Sequence, residues 1–339
     1  MHHNEKRVGL GFVGTGICAT ELHWPAVHAL SDKFEVVAAA GRSEEKAKSF
    51  AELVGARRSY TDYRKLLADK EVEAVAISFP FDMNSETSVA ALQAGKHVLV
   101  EKPMALNMQQ AKEMLLESRK TPLVAAVAEN WVYWPVIPVV RDHLERGTIG
   151  EPRLMIATGI AKMPLDDKYI SKSTWRLNTQ NGLPIDHGIH LIALLRQMFG
   201  PIVAGIGSTC KVREEFTEND TLAYQFRFAS GMTGVYLKST GAMGFPLTTN
   251  IVLFGTRGTI LFENLYTKLT FITDQGTRVE EHPRAEMGYI AEFDNFYQAI
   301  RHGAPVRYSF EDGYLDLQAM LGGTETTKAW EALAFPPIP

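Results

Sequence analysis

The chain runs to 339 residues, 45% hydrophobic and 22% charged, with a formal net charge of −4; that length predicts two domains. There is no long basic run, which argues against nucleic acid and anionic membrane as partners, and no apolar stretch reaches the roughly 18 residues that span a bilayer. The only two cysteines, Cys18 and Cys210, give no disulfide framework and fit a reducing, cytoplasmic compartment.

Arg7 to Val13 reads as a short buried strand leading into Gly14-Thr15-Gly16-Ile17-Cys18-Ala19 and then a helix. Lys6 and Arg7 before an apolar run superficially resemble a signal peptide. Glycines interrupt that run and carry a pattern of their own, so it is read as structure. Gly14 permits a tight turn, Gly16 lets backbone approach a pyrophosphate, and the small Ala19 lets the helix pack against its strand. The helix that starts near Ile17 offers phosphates unpaired N–H groups and positive potential.

A second strand, Phe34 to Ala40, ends in Gly41-Arg42-Ser43. NAD-binding folds usually place an acidic residue here for the ribose hydroxyls. With none present, Arg42 is free to grip a 2′-phosphate and Ser43 to donate one more hydrogen bond, so NADP(H) is expected over NAD(H). A solvent-exposed loop of arbitrary polar residues is the bland alternative. Helices then follow over Ser43–Val54 and Tyr63–Leu67, a strand over Ala74–Phe79 ending at Pro80, and a helix over Glu86–Ala94 closed by Gly95. His97–Val100 is a strand, Asn107 caps a helix through Ser118, and Leu123–Val127 is another strand. Strands alternating with helices predict a doubly wound parallel Rossmann sheet over residues 5–128.

Within it, Gly95 to Pro103 carries the sharpest chemical signal. A buried strand runs into Glu101 and Lys102, charges that are costly in a core. Pro103 restricts Lys102 to extended or turn geometry. The ammonium is thus held at the carboxyl end of a strand, where open α/β sheets bind ligands.

The rhythm changes after about Asn130. Ile137–Arg146 is helical, ending at Gly147, and strand-like segments follow: Pro152–Ile160, Ile202–Lys211, Thr221–Phe228, Met232–Ser239, Thr248–Phe254 and Gly258–Phe262. Residues 129–339 are therefore read as an α+β domain on a large, mostly antiparallel open sheet. One face is expected against helices and the other against a second subunit, making a homodimer or homotetramer. Late helices over about Tyr289–Arg301 and Glu311–Leu333 close the chain, with the option of packing back on the first domain.

Between the strands lies Gly182-Leu183-Pro184-Ile185-Asp186-His187-Gly188-Ile189-His190, followed by an apolar helix to Phe199. Asp186 and His190 are four apart and share a helix face. A neutral imidazole can take a hydroxyl proton near neutral pH, and a carboxylate can fix its tautomer. Two polar residues opening a helix, with Asp186 as a cap, would look the same. His187 is a rival base, displaced around the helix from Asp186. No cysteine–histidine cluster or His-Glu-x-x-His pattern accompanies the pair, which argues against zinc.

Together the glycine turn, the Glu-Lys-Pro core of Gly95–Pro103, Gly147-Thr148-Ile149-Gly150, Trp175-Arg176 and Gly182–His190 resemble the glucose–fructose oxidoreductase, inositol dehydrogenase and MocA (Gfo/Idh/MocA) family along nearly the whole chain. The resemblance implies a catalytic group of Lys102, Asp186 and His190, no metal, and a cis peptide bond between Lys102 and Pro103. Cofactor contacts are implied for Gly14, Gly16, Ile17, Gly41, Arg42, Ser43, Pro80, Asn84, Glu101 and Lys102. Hydride would pass between nicotinamide and a sugar or polyol carbon. His190 would carry the hydroxyl proton, Lys102 would stabilise charge on the oxygen, and Asp186 would orient His190 or bind a neighbouring hydroxyl. Asn130, Tyr133, Trp175 and Arg176 would line the substrate side, with Trp131 and Trp134 as packing residues. The chain departs from the family pattern at Phe79-Pro80-Phe81, at Asn84 (often histidine), at Ala193 (often aspartate) and at Gly41 (often acidic). The resemblance also admits NAD-retaining glycosidases, NADP-sensing regulators, and trans-dihydrodiol or pentose dehydrogenases.

Overall fold

Hydrophobic runs bounded by glycine, proline and capping residues resolve into strands and helices in a computed structural model, which describes residues 6–171, 174–179, 182–243, 249–282 and 287–325. Thr248 and residues 326–333, assigned above to a strand and a helix, lie outside the described residues. Two compact units divide the chain, Met1–Ile137 with Arg284–Leu317 and Pro138–Pro283 with Gln318–Pro339.

The first unit holds six parallel strands: β1 (Val8–Val13), β2 (Phe34–Ala40), β3 (Arg58–Tyr60), β4 (Ala74–Ile77), β5 (His97–Glu101) and β6 (Ala125–Ala128). Their spatial order is β3-β2-β1-β4-β5-β6, the doubly wound Rossmann arrangement with its switch point between β1 and β4. Every residue of β1 is buried, as expected of a central strand covered on both faces. The helices α1 (Trp24–Ala29), α2 (Glu44–Val54), α3 (Tyr63–Leu67), α4 (Asn84–Gln93) and α5 (Met108–Ser118) supply the crossovers. Side chains cap three of them: Ser43 accepts from the Lys46 amide, Asp62 from Arg64 and Asn107 from Gln110, which satisfies orphan N–H groups.

The second unit is built on eight strands: β7 (Pro152–Ile160), β8 (Ile202–Cys210), β9 (Thr221–Phe228), β10 (Thr233–Ser239), β11 (Thr249–Gly255), β12 (Gly258–Glu263), β13 (Lys268–Thr273) and β14 (Gly276–Glu281). The order is β14-β13-β12-β11-β7-β10-β9-β8. All neighbours are antiparallel except β10 and β7. The helix α6 (Val136–Glu145) precedes the strands, and α7 (Lys168–Ser171) and α8 (Gly182–Phe199) lie between β7 and β8. Tyr224, Phe226, Phe228 and Tyr236 are buried, whereas Leu154, Ile156, Val203, Ile206 and Leu237 are exposed.

Two late helices follow, α9 (Tyr289–His302) and α10 (Phe310–Glu325). α9 belongs to the first unit. Its Phe293 and Tyr297 meet Phe34 of β2 edge-on, with ring centroids 6.0 and 5.8 Å apart. Each such fully buried ring is worth about 2–3 kcal/mol of apolar burial. No helix among the described residues is long and apolar enough to cross a membrane.

Candidate active site

At the end of β1 the chain turns at Gly14, whose φ is +114°. A Cβ there would lie 2.6 Å from Ser78 Oγ and 2.9 Å from the Ser78 backbone, so only glycine fits. Around Gly16 the space is open, with nothing within 4 Å of where a Cβ would be. Helical backbone begins at Ile17, and an over-wide π turn occupies Ala19–His23 before α1. A tight turn, an open glycine and a helix N-terminus at the switch point together fit a dinucleotide pyrophosphate.

At the end of β2, Gly41 is buried, and a Cβ on it would sit 2.7 Å from Thr15 Oγ1. The missing carboxylate thus has a steric reason: Thr15 occupies the room an acidic side chain would leave by. Arg42 beside it is exposed and forms no ion pair among the described residues. Ser43 Oγ accepts from the Lys46 amide at 3.3 Å as the cap of α2. That bond leaves the hydroxyl hydrogen available to a ligand.

The exit from β5 is tightly held. The bond between Lys102 and Pro103 is cis, the geometry that the family resemblance implied. Pro80 leads the turn Phe81–Met83 into α4. Asn84, fully buried at the start of α4, donates to Glu101 O at 2.8 Å and Pro103 O at 2.9 Å. Its two amide hydrogens therefore clamp the backbone on both sides of Lys102. Glu101 accepts the Lys102 amide at 3.1 Å through Oε2, while its Oε1 meets Cys18 Sγ at 2.7 Å and His23 Nε2 at 2.9 Å. Burial alone would raise the Glu101 pKa, but the His23 hydrogen bond and charge and the nearby Lys102 hold it below the usual carboxylate range. Burial, then Glu101, push the Cys18 thiol well up. Cys18, His23 and Glu101 all offer metal-ligating atoms within 4.8 Å of one another, and here hydrogen bonds close the set.

Sequence reasoning missed His23, Cys18 and Glu292. Glu292 of α9 is buried with neither carboxylate oxygen hydrogen-bonded, and burial followed by the charges of Glu101 and Glu129 raises its pKa. A signal for His23 existed: the strand-end glutamate needs a partner, and a histidine stands nearly two turns into the helix after the glycines.

Asn130 and Tyr133 follow β6. Asn130 is buried and donates to Met287 O, and the Gly288 Cα packs on it so closely that a Cβ would lie 2.1 Å from Asn130 O. Tyr133 donates to Asn295 Oδ1 at 3.1 Å, with Arg307 5.1 Å over its ring. Both are tied to α9 and its flanks within the first unit. Trp131 and Trp134 stack at 4.5 Å.

In the second unit, Asp186 is buried in the first turns of α8. Its Oδ2 accepts from Arg176 Nε at 2.7 Å. The Arg176 guanidinium lies 4.2 Å from the Trp175 ring centroid and 5.4 Å from that of Tyr169, so aromatic faces and a carboxylate fix its plane. His187 Nε2 stands 3.6 Å from Asp186 Oδ2, beyond hydrogen-bond length, and the half-buried His190 is one turn further on. Gly182 opens α8 because Arg176 O would lie 2.8 Å from a Cβ. Asp186, Arg176 and Trp175 are thus brought together, with His190 next along the same helix; the cofactor-turn residues and Lys102 belong to the first unit.

Residues 8–129 match the oxidoreductase family with an NAD-binding Rossmann fold, and residues 138–261 match the GFO/IDH/MocA C-terminal domain. The myo-inositol 2-dehydrogenase of Thermotoga maritima is 27% identical over 96% of this chain and 95% of its own. The levoglucosan dehydrogenase of Pseudarthrobacter phenanthrenivorans is 26% identical over 92% of each. An oxidoreductase structure from T. maritima, 29% identical, aligns with a TM-score of 0.85 over 95% of this chain and 96% of that one. A glycine turn built for a dinucleotide, a clamped Glu-Lys-Pro exit and both matched domains in order place the chain in the Gfo/Idh/MocA oxidoreductase family.

Proposed function

We propose that the chain is an NADP(H)-dependent dehydrogenase or reductase acting on a hydroxyl or carbonyl carbon of a sugar, polyol or related small carbohydrate. The observation that carries this reading is the clamp on Lys102: Asn84 and Glu101 fix the backbone on either side of an ammonium at the carboxyl end of β5. When bound, the nicotinamide supplies the hydride chemistry. Gly14, Gly16 and the helix start at Ile17 hold the pyrophosphate, and Arg42 with Ser43 takes the 2′-phosphate. Lys102 stabilises negative charge on the substrate oxygen. His190 accepts the hydroxyl proton in oxidation and returns it in reduction, and Asp186, held by Arg176, positions hydroxyl or imidazole. Named relatives act on inositol and levoglucosan, which supports a polyhydroxylated substrate. The two thiols are free, in keeping with a reducing cytoplasmic setting.

Fluorescence titration of the full chain with NADPH and NADH tests the cofactor assignment. NADPH is expected to bind more tightly, with that preference collapsing in Arg42→Ala. Equal or tighter NADH binding by wild type would overturn it. Turnover on a substrate found by screening sugars and polyols should fall by about 10²–10⁴-fold in His190→Ala; undiminished turnover would remove His190 from the mechanism.

A further inference from the structure

The second unit contains a cation that the roles above leave unused. Lys238 lies near the end of β10, two residues after Tyr236 and therefore on the same face of the strand. That face packs on α8: Tyr236 is buried, and its Cε1 lies 3.6 Å from where a Cβ on Gly188 would be. Asp186 is two residues before Gly188 on the same helix. Across the sheet Lys238 pairs with Gly159 of β7, and a Cβ on Gly159 would lie 3.3 Å from Lys238 Cδ. The glycine leaves room for the lysine stem.

No hydrogen bond or ion pair holds the Lys238 ammonium among the described residues. Burial lowers its pKa to about 8, against the opposing pull of Asp186. The residue is half-buried, and its ammonium brings three donors to the α8 side of the sheet. Asp186 cannot serve it fully, because its Oδ2 already takes the Arg176 guanidinium. Among the described residues Arg176 thus takes the Asp186 carboxylate, and Lys238 stands in its field without an ion pair of its own.

We propose that Lys238 is a specificity-determining residue that receives an anionic group of the substrate, so that the chain acts on a polyhydroxylated carboxylate in preference to a neutral sugar or polyol. A carboxylate closes the charge count and gives the ammonium its acceptors; a neutral hydroxyl does only the second. The assignment rests on the proposed role of Asp186 and His190 at the substrate, and deepens it.

Gluconate and sorbitol test the proposal, being six-carbon chains that differ chiefly in one terminal carboxylate. Their dissociation constants are measured on the full chain by calorimetry at constant ionic strength, with and without NADPH. Wild type should bind gluconate about tenfold more tightly than sorbitol, a gap of about 1.4 kcal/mol. Lys238→Met and Lys238→Gln should weaken gluconate more than sorbitol, so that the gap closes, while NADPH binding is unchanged. Gluconate that binds no better than sorbitol, or not at all, overturns the proposal. So does a preference that survives in a folded Lys238 variant. Wild type that takes gluconate selectively but binds neither NADPH nor NADH would instead sink the oxidoreductase reading and leave Lys238 standing.

Discussion

His23 and Glu101 show how a single pair can stabilise the fold and shape the cofactor end of the first unit. With His23 removed, the Glu101 carboxylate stays enclosed and loses its main neutralising partner, so His23→Ala should cost about 2–3 kcal/mol at neutral pH. The folded pKa of Glu101 is depressed. Its stabilising contribution is therefore complete above the unfolded carboxylate value of about 4.3 and fades as pH falls below that through the folded value. Urea unfolding at neutral pH and below about pH 4 should show the gap between variant and wild type narrowing with acid; an equal gap at both pH values would refute the pairing. Gly41 supports a second residue-level prediction. Its place is dictated by Thr15, so Gly41→Asp alone is strained, whereas Thr15→Ala with Gly41→Asp opens the room. The double variant should shift the ratio of NADPH to NADH affinity toward NADH by about tenfold or more, read by the same fluorescence titration. A single Gly41→Asp that does this equally well would show that Thr15 does not guard the position.

Elements with a strong local signal were legible in the sequence, and those without one were not. β1, β2, β4 and β5 are apolar runs bounded by turn residues, and Asn107 caps α5 as its position suggested. β3 has three residues, too few for any period to show. β14 is half charged, and its residues are mostly exposed; as an edge strand it is held by its ladder with β13 and not by burial. The parallel pairing of β10 with β7 joins segments more than seventy residues apart, a contact that no local pattern encodes. A close approach of β8 and α10 was hidden for the same reason. A Cβ on Gly207 would lie 2.2 Å from Gly323 O, and one on Gly323 2.8 Å from the Tyr224 ring, yet one on Gly322 would meet only the Tyr224 hydroxyl, at 3.6 Å. Gly207→Ala should therefore destabilise the second unit by about 2–3 kcal/mol through overpacking, whereas Gly322→Ala should be neutral or stabilise by up to about 1 kcal/mol as a helix-interior alanine. Scanning calorimetry distinguishes the two; equal effects would show that β8 and α10 do not meet backbone to backbone.

For the whole molecule the open question is what covers the outer face of the eight-stranded sheet. The register sets Leu154 and Ile156 of β7 beside Thr233 and Val235 of β10, and beside Phe254 and Val252 of β11. Leu154 and Ile156 are exposed, as is Leu237 of the neighbouring β10; Val203 and Ile206 of β8 are exposed too, beyond the Ala223, Gln225 and Arg227 of β9. Single exposed apolar residues are ordinary, but Leu154, Ile156 and Leu237 adjoin on β7 and β10 and form a patch of the kind expected at an interaction surface. In a single chain with this fold, a partner with the same surface is the economical match, because a two-fold axis pairs the patch with itself. The expected state is a homodimer or homotetramer joined through this sheet. Light scattering coupled to gel filtration should give two or four times the chain mass for wild type. Leu154→Asp with Ile156→Asp should give the mass of one chain, since aspartate placed opposite its own symmetry copy is both desolvated and repelled. Circular dichroism of the double variant should match wild type, because both side chains point away from the unit's core. A monomeric wild type, or an oligomer that survives the double substitution, would mean that the face is covered some other way.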